Sequence, residues 1–134
     1  MGIVFIKISS SSIAYEFARD VFKGLDHEEL WILYVNDIYQ PISFERVTSG
    51  GWSSTIIDLR QIFSIGLKHH STGIFLFHNH LSGNCSPSIS DINKTRDVSK
   101  IGKILEMPMI DHIIISDKGY YSFADEEFIP IKKK

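Results

Sequence analysis

His78 and His80 stand one residue apart at the end of an apolar run, Gly73 to Phe77, and Ser88 and Asp91 follow at what reads as a helix start. Strand side chains alternate, so two histidines at this spacing point to the same side. A loop from His80 to Ser88 can return Asp91 beside them. Two imidazoles and a carboxylate form a ligand set for zinc, with the fourth position left to water. Zinc lowers the pKa of that water toward neutrality and makes a hydroxide nucleophile. Such a centre also needs a base for the proton and a donor for the developing oxyanion. Glu28 or Glu29 could be the base, and the Ser88 hydroxyl could be the donor. The same residues have an account without metal. Ser88-Ile89-Ser90-Asp91 fits a capping box, the histidines could be hydrogen-bonded polar residues at a strand end, and the glutamates could form a solvated strand entrance.

The elements that must position these residues are readable in order. Ile3 to Ile8 has the pattern of a short strand, and the serines from Ser9 to Ser12 cap a helix carrying Ile13, Phe17 and Val21 at helical spacing, with Gly24 as its stop. Leu30 to Val35 is apolar enough for a core strand; Asn36-Asp37 turn the chain, and Tyr39 to Thr48 return as its hairpin partner. Pro41 marks that partner as an edge or a bulge. A second helix begins at Ser54 or Thr55, with Ile57, Ile62, Phe63, Ile65 and Leu67 on its apolar face, Asp58 in its first turn and Lys68-His69-His70 at its end. Gly73 to Phe77 suits a strand covered on both faces. A third helix spans about Ile89 to Leu105 with Ile92, Val98, Ile101 and Leu105 inward; Asp111 to Ser116 and Tyr120 to Phe123 close the chain as a hairpin. Strand, helix, hairpin, helix, strand, helix, hairpin predicts an α/β fold, a mixed sheet covered by helices.

Composition sets the bounds. The 134 residues, 43% hydrophobic and 22% charged, predict one domain with a real core. A net charge of −2 supplies no field that would draw nucleic acid, so a DNA partner has no support from charge, and the basic run Lys132 to Lys134 reads as a solvated tail. The single cysteine, Cys85, excludes an internal disulfide and a cysteine-held zinc, and suits a reducing cytosol. It also excludes a zinc deaminase, which needs a Pro-Cys-x-x-Cys helix start. No apolar run approaches the length of about 20 residues that spans a membrane, and the expected location is cytoplasmic. The tripeptide His78-Asn79-His80 is not evidence for the HNH nuclease fold, whose named residues are dispersed along a different motif.

The spacing His78-x-His80, seven residues, Ser88, two residues, Asp91 matches the JAMM signature of the JAB/MPN metalloprotease superfamily. The finer resemblance is to its RadC-like branch. Its core reads His-Asn-His-Pro-Ser-Gly, then Pro-Ser and an acidic residue, then an Asp-His-Ile-Ile strand. Here these stand as His78 to Gly83, Pro87-Ser88 with Asp91, and Asp111 to Ile114, and Tyr121-Ser122 resembles the closing strand. The similarity runs from about His27 to Phe123. Leu81 departs from it, standing where the family has proline, which removes a constraint on the loop but no ligand.

The resemblance implies the JAB/MPN, cytidine deaminase-like three-layer architecture over residues 1–134, with Zn2+ on His78, His80 and Asp91 and Ser88 supporting the tetrahedral intermediate. It also implies a glutamate before the first hairpin strand as general acid/base, for which Glu29 fits better and Glu28 second. His112 either supports the metal shell or is a core histidine. The expected activity is cleavage of an amide or isopeptide bond in a peptide or protein substrate. The alternatives are a non-enzymatic module for DNA-associated work or for holding a partner, and a metal-dependent nuclease using the same site. A helix-hairpin-helix domain, often found upstream in the family, is not in this sequence. No membrane partner is expected, and the oligomeric state is open, with Tyr39 to Phe44 as a candidate contact edge.

Overall fold

A computed structural model of the chain describes residues 6–48 and 59–128. Its elements are α1 (Ser11–Ala18), continued by a 3-10 turn (Arg19–Phe22), β1 (Leu30–Val35), β2 (Pro41–Thr48), α2 (Leu59–Lys68), β3 (Gly73–Asn79), α3 (Ile89–Ile104), β4 (Met109–Ser116) and β5 (Gly119–Ser122). The strands form one sheet in the order β2-β1-β3-β4-β5. Among the described strands only β3 with β4 is parallel, and α3 is the crossover between them.

Alternation along the strands sorts the core into two layers. Leu30, Ile32 and Tyr34 of β1 and Ile74 and Leu76 of β3 face Ile62 of α2 and Val98 of α3. Leu33, Val35, Phe75 and Phe77 face Ala14 and Ala18 of α1 on the other side. The sheet is therefore mixed and covered on both faces, as expected of the JAB/MPN architecture. All seven residues of β3 are buried, which explains why Gly73 to Phe77 carries no polar alternation. Gly102 lets α3 lie close to the start of β4: a Cβ there would meet the Met107 carbonyl at 2.6 Å.

Several expectations are corrected. Ile6 to Ile8 form no strand; Ile8 is buried and its amide reaches only the Tyr39 carbonyl, while residues 3–5 lie outside the described residues. The expected start of α2 at Ser54 or Thr55, with Ile57 and Asp58, also lies outside them. Leu67 and Leu105, expected inward, are exposed. Pro41 opens the edge strand β2, beside a register shift at Tyr34/Val35. Its missing amide hydrogen therefore breaks no interior ladder.

Candidate metal centre

The centre forms where β1, β3, β4 and the first turn of α3 meet. Leu30 pairs with His78 and His78 with Ile114, so the histidine sits at the end of the β1–β3 ladder and one step before the end of the β3–β4 ladder. Ser88 is the N-cap of α3: its hydroxyl accepts the Asp91 amide hydrogen at 3.0 Å, and its own amide donates to Asp91 Oδ2 at 2.8 Å. The capping box thus holds Asp91 in the orientation that meets the histidines. His78 Nε2 lies 3.3 Å from Asp91 Oδ1, and His80 Nε2 lies 3.1 Å from Oδ2. One ligand atom from each of the three residues falls within 4.8 Å of the others. Ligands about 2.0–2.1 Å from a tetrahedral zinc stand roughly 3.3–3.4 Å apart, so the side chains fit an ion of that size.

Hydrogen bonding decides which nitrogens face inward. Thr95 Oγ1 donates to the Asp91 carbonyl at 2.7 Å, so toward His112 Nδ1, also at 2.7 Å, it can only accept. His112 therefore carries its hydrogen on Nδ1. Complete burial keeps its pKa far below the ordinary value and the ring neutral, which leaves Nε2 as an acceptor. Across 2.8 Å, His78 Nδ1 must donate to it. His78 is also fully buried, and that burial lowers its pKa. Its Nε2 consequently presents a lone pair to the Asp91 carboxylate. Two acceptors facing each other at 3.3 Å call for a cation between them. His80 is held differently: its Nδ1 donates to the Asn84 carbonyl at 2.9 Å, and its Nε2 lies 3.1 Å from Asp91 Oδ2, whose carboxylate raises the His80 pKa.

The two glutamates part company. Glu29, expected at the centre, is not brought to it. Its carboxylate is buried on the α1 side of the sheet, where Trp31 Nε1 donates at 2.9 Å, Arg46 at 3.3 Å, and His27 Nε2 lies 2.7 Å away. Burial would raise its pKa, yet these bonds lower it. Glu28 has the parity of Leu30 and hence of His78, and its field acts on His78, His80 and Lys94. Its Oε1 is buried without a hydrogen-bond partner among the described residues. The structure thus ties the Glu29 carboxylate to Trp31, Arg46 and His27, while the charge that acts on the cluster is that of Glu28.

With this geometry in hand, comparison with known proteins decides the family. The family model described as RadC-like JAB domain matches residues 8–128. The chain belongs to the RadC-like JAB family. A UPF0758 protein of Flavobacterium johnsoniae is 40% identical over 120 residues, covering 90% of this chain and 52% of that protein. One from Porphyromonas gingivalis is 40% identical over 120 residues, 89% of this chain and 53% of its own length. One from Methanosarcina mazei is 34% identical over 123 residues, 92% and 54% respectively. This RadC-like chain thus spans about half the length of the curated relatives it matches, and their shared name states no activity. In this family member His78, His80 and Asp91 could hold a metal ion. No described helix is long and apolar enough to cross a membrane.

Thr95 and Asn79 are the site residues that sequence reasoning missed. Thr95 lies four residues after Asp91, one helical turn on, so a hydroxyl under the Asp91 carbonyl was a findable signal. His112 stacks on Phe123 with centroids 4.7 Å apart while bonding His78.

Proposed function

We propose that this chain is a zinc-dependent hydrolase of amide or isopeptide bonds, with His78, His80 and Asp91 as ligands and Glu28 as general acid/base. The observation that carries the reading is the convergence of the three ligand atoms, each histidine with its other nitrogen committed to a hydrogen bond. A bound zinc would supply Lewis acidity, acidifying a water and polarising the scissile carbonyl.

The chain's own residues do the rest. Glu28 Oε1, with no hydrogen bond to break, takes a proton from the attacking water and returns it to the leaving nitrogen as the C–N bond opens. Ser88 Oγ accepts the Asp91 amide and still has its own hydrogen, which can bond the carbonyl oxygen as charge develops there. His112 and Thr95 keep His78 in one tautomer.

The test is metal content, followed by a mass-spectrometric screen of zinc-loaded protein against a peptide and isopeptide library. Wild type should hold one zinc and cleave a subset of the library. Glu28→Gln should keep the zinc and lose cleavage by at least about 100-fold. Cleavage by Glu28→Gln at the wild-type rate, or a protein that takes up no zinc, would refute the reading. Single-stranded DNA cut in place of any peptide would make the site a nuclease.

A further inference from the structure

Asn79 stands between the two histidines and, by alternation, turns its carboxamide to the opposite side of the sheet. There Oδ1 accepts the Glu29 amide hydrogen at 2.8 Å, and Nδ2 donates to the His27 carbonyl at 3.1 Å. The His27 carbonyl and the Glu29 amide belong to the two peptide groups that flank the Cα of Glu28. A carboxamide carries the same donor and acceptor as a peptide group. The ladder between β1 and β3 ends at Leu30 and His78, and the Asn79 side chain continues it by one more step. Without it, two backbone groups at the strand entrance would lose their partners.

A second hold acts on the neighbouring residue. The Glu29 carboxylate, 4% exposed, is tied to Trp31, His27 and Arg46 on the α1 side. With Glu29 fixed on one face, the extended chain sends the side chain of Glu28 to the other.

We infer that Asn79, with Glu29 as anchor, is the positioning residue that aims Glu28 at the cluster formed by His78, His80 and Asp91. The inference rests on the reading of Glu28 as the proton carrier. Residues 78–80 then do two jobs: their histidines face the ion, and the residue between them grips the segment that bears the base. Ligands and base are held in register by one stretch of strand.

The experiment uses the full chain loaded with zinc, a peptide that wild type cleaves, and Asn79→Ala, Asn79→Asp and Glu28→Gln. Asn79→Asp keeps the acceptor for the Glu29 amide and sets a second acceptor against the His27 carbonyl in place of the donor, so it also serves where Asn79→Ala fails to fold. The expected result is unchanged zinc content and KM, with kcat about 100-fold lower in Asn79→Ala and intermediate in Asn79→Asp. Adding Asn79→Ala to Glu28→Gln should cost nothing further, because the two act as one unit. Exchange of the Glu29 amide should rise at least about tenfold while that of Leu33 stays constant. A wild-type kcat in Asn79→Ala, or full additivity with Glu28→Gln, overturns the inference.

A readout without turnover separates the two ideas. In protein loaded with cobalt(II), the pseudocontact shift of the Glu28 carboxyl carbon reports its place relative to the ion. If Glu28→Gln hydrolyses normally, the proton-carrier reading fails, and the shift alone then judges the clamp. A shift that collapses in Asn79→Ala supports it; one that stays as in wild type sinks it.

Discussion

The centre has a buried side and an open side, built on different terms. On the buried side His78 and His112 are fully enclosed, Thr95 and Asp91 nearly so, and the polar atoms are linked from Asp91 through Thr95 and His112 to His78. On the open side His80 is half-buried, and it alone of His78, His80 and Asp91 also borders a cavity of about 440 Å³ on the α1 face, lined by Tyr15, Arg19 and Leu81. Its bond is to the backbone carbonyl of Asn84, in a loop, and Ser88 is exposed. The difference teaches where precision is set. The buried side fixes which His78 nitrogen faces Asp91, and the open side leaves His80 and Ser88 within reach of solvent.

Asp91 belongs to both sides, so its loss should have the largest effect. Asp91→Ala removes one of the three proposed ligands and the carboxylate half of the capping box, and zinc should be absent from the purified protein by atomic emission. Stoichiometric zinc in that variant would place the ion elsewhere. Next is His112→Phe, which keeps a ring on Phe123 but removes the acceptor for His78 Nδ1. Zinc affinity, measured by chelator competition, should fall about 10–100-fold. An unchanged affinity would mean that the buried side sets no tautomer.

How much of this was legible depends on whether a residue marks its own face. His78 and His80 do, since two polar residues two apart after an apolar run share a side, and Ser88 with Asp91 announced the cap. The strand Leu30–Val35 and the helix from Ile89 were readable from length and period. Glu28 and Glu29 were not separable. β1 is apolar on both faces, so no alternation shows its phase, and only the pairing of Leu30 with His78 says which glutamate looks toward the ligands. The described end of the expected first strand, Ile6 to Ile8, failed for a related reason: an apolar run states that it is buried, and Ile8 is, but not that a ladder partner exists.

Asp111 tests the floor of the buried side through pH. It accepts hydrogen bonds from the His112 amide at 2.7 Å, Ser122 Oγ at 2.6 Å and the Ala124 amide at 2.9 Å, fixing the turn that carries Phe123 under His112. Burial nonetheless raises its pKa from 3.8 to about 6. Between those values the folded chain holds a proton that the unfolded chain has released. This contribution is therefore complete below the lower value and is lost as pH rises through the higher one, with a slope of at most about 1.4 kcal/mol per pH unit. Urea titrations should show it in wild type and not in Asp111→Asn, which stays neutral. Equal slopes in both proteins would assign the pH dependence to other groups.

The smallest effect is expected on the open side, from Ser88→Ala. The hydroxyl accepts the Asp91 amide, so its loss should lower stability by about 1 kcal/mol, as for other caps. Zinc affinity should stay within about twofold, because the bond from Ser88 to Asp91 Oδ2 comes from the backbone and survives the substitution. The comparison with His112→Phe is then sharp: a residue next to a ligand barely matters to the ion, while one that touches no ion weakens it. If Ser88→Ala loses zinc as steeply as His112→Phe, the carboxylate is held by the cap as a whole, and the open side is as rigid as the buried one.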